Sequence, residues 1–205
     1  MSAIAEFYKS IDKETEAAIV DQGSRFLAYA FPVKNEVEIK KALNILRQKY
    51  PDATHHCYAW QLNINGTNNR ANDDGEPSGS AGRPILNQIL AAGFTNILVV
   101  VVRYFGGKKL GIPGLIAAYG DAARLCLMNC RAVEGQLLDY YILEVNAEQN
   151  YMAFNLARKL GISIMEPLNT ENSKFCLAIP RSKKALLEEA CNNLANFVLT
   201  FDKTE

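Results

Sequence analysis

The chain has 205 residues, about half of them apolar, with 22 basic and 22 acidic side chains and a formal net charge of zero. That length allows one large domain or two small ones, each with its own core, and the zero charge excludes a general attraction to nucleic acid, so any RNA contact needs a local patch. The longest apolar run, ILVVVV at 97–102, is far below the roughly 20 residues needed to cross a bilayer, and the five scattered cysteines, odd in number and without a C-x-x-C pair, read as reduced thiols.

The opening stretch MSAIAEFYKSIDKETEA has scattered charges and no apolar centre, so no signal peptide is expected and a cytoplasmic protein follows. SRFLAYAFPV (24–33) reads as a strand that runs to an edge of the sheet or leaves it at Pro32. In the next segment Ile39, Leu43, Leu46 and Tyr50 recur at helical spacing, Asn35 with Glu38 resembles a capping box, and Pro51 ends the helix. HHCYAWQLNI reads as a strand, and the following NGTNNRANDDGEPSGSAG has no periodicity, which marks a long loop. Pro84 suits the first position of a helix that stops at Gly93. The run 97–102 is too uniformly apolar for a half-exposed strand and predicts a central strand covered on both faces. A helix from about Pro113 to Met128 carries Leu115, Tyr119, Ala122 and Cys126 on one side.

From Leu137 the pattern changes to strand, helix, strand, strand, helix, strand, the βαββαβ order of a ferredoxin-like domain. The fold class is therefore α+β, divided into residues 1–134 and 135–205. Residues 139–205 hold seven basic and nine acidic side chains, net −2, and the remainder is net +2.

Two glycine-containing loops, 72–83 and 106–114, each run into a predicted helix, where unpaired N–H groups and the positive end of the dipole attract anions. Neither is a nucleotide fingerprint, since G-x-x-x-x-G-K-[ST] and G-x-G-x-x-G are both absent. Between 103 and 131 five basic residues face a single acid, Asp121. The candidate phosphate contacts are Arg103, Lys108 and Lys109, with Gly106 and Gly107 allowing close backbone approach and Arg83 standing beside the first loop. Solvated lysines and tight turns are the structural alternative.

Asp73, Asp74 and Glu76 are read as loop-shaping acids that accept backbone N–H bonds or pair with Arg70, Arg83 or Arg103. A metal or acid–base role with His56 or Cys57 assisting is the alternative. His55 and His56 lack the spacing of a zinc motif, and on a strand they face opposite ways. Cys57 beside them defaults to a buried thiol.

HHCYAW (55–60), DDGEPSGSAGRPIL (73–86) and VVVRYFGGKKLGIPGLIAAYG (100–120) together resemble the signature blocks of the YigZ/IMPACT family, over residues 20 to 130. Pro113 departs from that pattern where glycine is expected. The resemblance implies a first domain like domain IV of elongation factor G, with a ribosomal-protein-like βαβ fold, and a second like the ferredoxin-like domain of bacterial members. Eukaryotic relatives are translation regulators that bind a ribosome-associated activator of an initiation-factor kinase. The expectation is thus a non-enzymatic regulator of translation that binds RNA, the ribosome or a translation-related protein through its first domain. The alternatives are a metal-dependent hydrolase or phosphate-transfer enzyme built on the 72–83 loop, and a protein–protein adaptor. No catalytic residue, cofactor, metal or membrane partner is expected, and nothing in the sequence specifies an oligomeric state.

Overall fold

The computed structural model describes residues 7–63, 68–165, 173–194 and 196–204. The chain divides into two compact units, Lys9–Glu134 and the combination of Met1–Tyr8 with Gly135–Glu205. Both mix helices and sheet, as the α+β class requires. Among the described residues no helix is long and apolar enough to cross a membrane.

The larger unit is built on a five-stranded antiparallel sheet. Its strands are β2 (Thr15–Asp21), β3 (Ser24–Pro32), β4 (His55–Leu62), β5 (Asn68–Asn72) and β6 (Ile97–Tyr104), in the order β2-β3-β6-β4-β5. A separate two-stranded sheet pairs β1 (Phe7–Ile11) with β7 (Ala132–Gln136). β6 is central, and alternation splits its side chains between two cores. Leu98, Val100 and Val102 meet Ile39, Leu43 and Leu46 of helix α1 (Glu36–Lys49). Ile97, Val99 and Val101 lie opposite, in a core shared with helices α2 (Gly82–Ala92) and α3 (Gly111–Met128). Helices on both faces, rather than parallel pairing, explain the unbroken apolar run.

Local signals explain most boundaries. Asn35 Oδ1 accepts the Glu38 N–H at 3.0 Å, and Glu38 Oε2 accepts the Lys34 N–H at 2.8 Å, a capping box displaced by one residue on its return bond. Helix α2 starts at Gly82, two residues before Pro84, which still falls in the first turn where a missing N–H costs little. Gly93 closes it in the left-handed conformation. β3 lies inside the sheet, with Pro32 as its last residue.

The segment 65–82, expected to be an unstructured loop, contains the edge strand β5. Its sequence NNRAN is polar and mostly exposed, so no apolar alternation announces it. The edge strand β2 is equally hard to recognise for a related reason, since it is only half buried along its length.

The second unit runs β8 (Leu138–Glu144), α4 (Asn150–Leu160), β9 (Ser163–Ile164), β10 (Lys174–Pro180), α5 (Lys184–Asn192) and β11 (Val198–Thr204). Its antiparallel sheet has the order β11-β8-β10-β9. Leu143, Phe175, Leu177 and Ile179 of the sheet pack with Leu156 of α4 and Leu187 of α5. The second strand of the expected βαββαβ order is the short Ser163–Ile164, and residues 166–172 after it lie outside the described residues.

Candidate functional site

At the end of the larger sheet where β6 finishes and β3 and β4 begin, the strand alternation places Arg103 in the same row as Ile97, Val99 and Val101. A cation in an apolar row needs a counter-charge. The DDGE turn provides it: Asp74 and Gly75 both take positive φ (42° and 90°), and the Glu76 N–H donates to the Asp73 carbonyl at 2.9 Å. This tight reversal turns Glu76 inward. Arg103 Nη1 donates to Glu76 Oε1 at 2.5 Å, with both side chains almost fully buried (7% and 4% exposed).

The same carboxylate oxygen accepts the Tyr119 hydroxyl from α3 at 2.7 Å, and His55 Nε2 stands 3.8 Å away. Arg103 also donates through Nη2 to Ser24 Oγ at 3.4 Å, and its guanidinium lies between the rings of Phe26 and Phe105, with Cζ 5.5 and 5.6 Å from their centroids. Its Nε is buried without a partner. Arg103, expected to contact phosphate, is therefore an internal residue: burial and the Glu76 ion pair occupy it.

Asp73 closes the first anion site. Its Oδ1 accepts the N–H groups of Ala81 (3.0 Å) and Gly82 (2.8 Å), and its Oδ2 accepts that of Gly79 (2.8 Å). Ala81, at the N-cap position of α2, offers no side chain for the task, so Asp73 neutralises this helix start from eight residues upstream. A phosphate would have to displace that carboxylate. Asp74 Oδ2 accepts the His56 N–H at 2.7 Å, and its Oδ1 lies 3.7 Å from Arg47. The three acids thus serve different donors. Among the described residues no group of three or more His, Cys, Asp or Glu side chains could hold a metal ion.

The histidines divide as strand alternation requires. His55 Nδ1 is 2.7 Å from the Asp74 carbonyl oxygen, on the Glu76 side. His56 is buried against the end of α1, with Nε2 unpartnered, and burial lowers its pKa against the opposing pull of Asp74. Cys57 donates to the Asp73 carbonyl at 3.0 Å and lies 3.3 Å from the Tyr119 hydroxyl; burial pushes both thiol and phenol up, which leaves them protonated at neutral pH. A neutral buried thiol is a poor nucleophile.

The second loop contrasts with the first. Gly106 packs so closely on the β2–β3 hairpin that an added Cβ would fall 1.9 Å from the Gly23 carbonyl carbon, and its N–H donates to Ser24 Oγ at 3.1 Å. The turn is held to the sheet by this approach, and Gly107 follows at φ 88° with open space around it. Phe105, Gly106, Gly107, Lys108 and Lys109 are all exposed. Helix α3 begins at Gly111 with no side-chain cap bond and no acid in its first turn. Arg83 is exposed on the first turn of α2. Ser24 and the hydroxyl of Tyr119 join the site without having been expected there. For Tyr119 the sequence does hold a signal, a phenol on the apolar side of a helix, which needs a buried partner.

Comparison with known proteins places these residues in a wider set. The Impact N-terminal domain profile matches residues 22–127. The chain is 31% identical over 191 residues to the IMPACT family member YvyE of Bacillus subtilis, covering 92% of this chain and 87% of that protein. It is 40% identical over 161 residues to an IMPACT family member of Thermus thermophilus, covering 78% and 86%. A crystal structure of a hypothetical protein superimposes with a TM-score of 0.77 at 26% identity, covering 98% of this chain and 99% of that one. With the domain profile matching half of the chain, its Glu76 and Arg103 blocks included, and relatives named IMPACT family members matching over most of their length, the chain belongs to the YigZ/IMPACT family.

Proposed function

We propose that this protein is a cytoplasmic, non-enzymatic regulator of translation whose larger unit binds RNA on the ribosome through the 105–112 loop. In this reading the larger unit follows the plan of elongation factor G domain IV and the smaller one is a ferredoxin-like module. The carrying observation is the difference between the two helix starts. Asp73 fills that of α2, whereas α3 begins uncapped by any side chain and is preceded by exposed Lys108 and Lys109. Uncapped N–H groups, the helix dipole and two exposed lysines favour phosphate oxygens. Arg103 supports the loop from inside instead of touching the ligand.

A second reading, a translation-related protein as partner, draws on Phe105, Ile112 and Ile116, exposed at 48%, 53% and 44% next to the lysines. Isolated apolar side chains are common on surfaces, so the lysine pair weighs more. Ribosome co-sedimentation across a salt series tests the choice. Lys108→Ala with Lys109→Ala should weaken association and flatten log K against log salt by about one unit for each phosphate no longer neutralised. Binding that is absent at low salt, or unaffected by the double substitution, refutes the RNA reading. Binding abolished by Phe105→Ala but insensitive to salt supports the protein partner.

A further inference from the structure

Away from the Glu76 cluster, at the C-terminal end of α3, the larger unit has an open cleft of about 460 Å³ whose walls include Lys9, Phe94, Arg124, Leu127, Met128 and Cys130. That volume lies within the roughly 300–1,000 Å³ typical of small-ligand sites. Cys130 is half-buried in this wall, and the Cys126 thiol is fully buried one helical turn earlier. Cys130 Sγ lies 3.4 Å from the Cys126 carbonyl oxygen, and Cys126 Sγ lies 3.3 Å from that of Thr15.

We propose that Cys130 and Cys126 form a thiol-oxidation site for a low-molecular-weight disulfide that carries carboxylates. Lys9 and Arg124 line the cleft beside Cys130, and the flanking Phe94, Leu127 and Met128 suit the carbon chain of such a molecule. A peroxide would need neither the cleft nor the cations. Among the described residues Lys9 Nζ is held by the Ala92 carbonyl at 3.5 Å and by the face of Phe94, and Arg124 by an exposed pair with Asp121 at 3.5 Å and a weak bond to the Met128 sulfur at 3.5 Å, so both can turn to a carboxylate at small cost.

The sulfur chemistry agrees with the geometry. The neighbouring Cys126 side chain draws the Cys130 pKa down to about 7, with Thr15 helping, against burial and the charge of Asp12, while Cys126, whose thiol donates to the Thr15 carbonyl, is held well above the ordinary thiol range. Cys130 is thus the attacking thiolate and Cys126 the thiol in reserve, the arrangement expected of a redox-sensitive pair. In the first step the Cys130 thiolate attacks one sulfur of R–S–S–R, the S–S bond breaks, and one RS⁻ leaves with a mixed disulfide at Cys130. In the second, Cys126 attacks the Cys130 sulfur and expels the other RS⁻, its proton passing to the departing thiolate. Two protein thiols are oxidised to one disulfide and the small disulfide is reduced to two thiols.

The test incubates the full chain with oxidised glutathione and reads each cysteine by mass spectrometry. A Cys126→Ser variant should accumulate the glutathione adduct at Cys130, and the unaltered chain should end as a Cys126–Cys130 disulfide. Lys9→Gln with Arg124→Gln should slow this reaction several-fold yet leave the rate with neutral hydroxyethyl disulfide unchanged. The proposal is overturned if Cys130 reacts no faster than the half-buried Cys176 in the unaltered chain, if the cation substitutions slow both disulfides equally, or if only hydrogen peroxide produces the Cys126–Cys130 bond.

Discussion

Replacing Glu76 by Gln keeps the shape of the side chain and an oxygen for the Tyr119 hydroxyl, but it removes the only ion-pair partner of Arg103 among the described residues. The guanidinium stays buried, fixed by the β6 register and the rings of Phe26 and Phe105. Truncating one member of a buried pair leaves an uncompensated charge at a cost of about 3–5 kcal/mol, whereas an exposed pair is worth about 0–1 kcal/mol. At about 3 °C per kcal/mol for a domain of this size, Glu76→Gln should lower the Tm by roughly 10 °C. Arg103→Met should cost a similar amount by leaving the buried Glu76 carboxylate with the Tyr119 hydroxyl but without its guanidinium partner. The double variant should cost much less than the sum of the two, because an amide beside a thioether carries no charge. Urea unfolding of the four proteins, arranged as a double-mutant cycle, measures that coupling. Single costs below about 1 kcal/mol, or additive costs, would show that water reaches the pair and would refute its assignment as the internal brace of the loop.

Two further outcomes follow from neighbouring residues. Asp73→Ala deprives three N–H groups of their acceptor and the α2 dipole of its counter-charge, so it should cost about 2 kcal/mol and speed hydrogen exchange at Gly79, Ala81 and Gly82 first; unchanged exchange there would count against the remote cap. Burial lowers the His56 pKa below its ordinary value of about 6.5, so as pH falls the unfolded chain takes up the extra proton first. Stability should therefore fall as pH drops below about 6.5, and His56→Gln should flatten that part of the profile; an equal slope in both proteins would reject His56 as its source.

How far the sequence discloses this arrangement depends on the kind of information each part needs. Helices α1 and α3 and strand β6 announce themselves because their partners are generic apolar surface, and any core satisfies Ile39, Leu115 or Val99. Strands β2 and β5 do not, because an edge strand is specified by the neighbour it pairs with, and NNRAN has no local reason to be extended. The acids of the 72–83 loop are intermediate. Their chemistry as acceptors of N–H groups and partners of arginine is legible, but the choice among Arg70, Arg83 and Arg103 requires knowing that β4 and β6 are adjacent and in which register. One clue is available: counting by twos from Ile97 puts Arg103 on an apolar row, where a cation is internal unless the strand leaves the sheet.

The burial of Arg103 also changes the meaning of the positive segment 103–131. Counted along the chain, its charge looks like a single patch; in space it separates by function. Arg103 is occupied inside, Arg124 and Cys130 border the cleft at the far end of α3, and Lys108 and Lys109 stand in the loop before the helix start. The ion pair still bears on that loop, because the chain passes directly from Arg103 through Phe105 to Gly106, whose N–H shares Ser24 Oγ with the Arg103 guanidinium. A brace so close to the turn proposed to bind RNA acts through backbone position rather than through charge. Substitutions at Glu76 should therefore weaken ligand binding without changing its salt slope, while substitutions at Lys108 and Lys109 change both, and that difference separates the support from the contact.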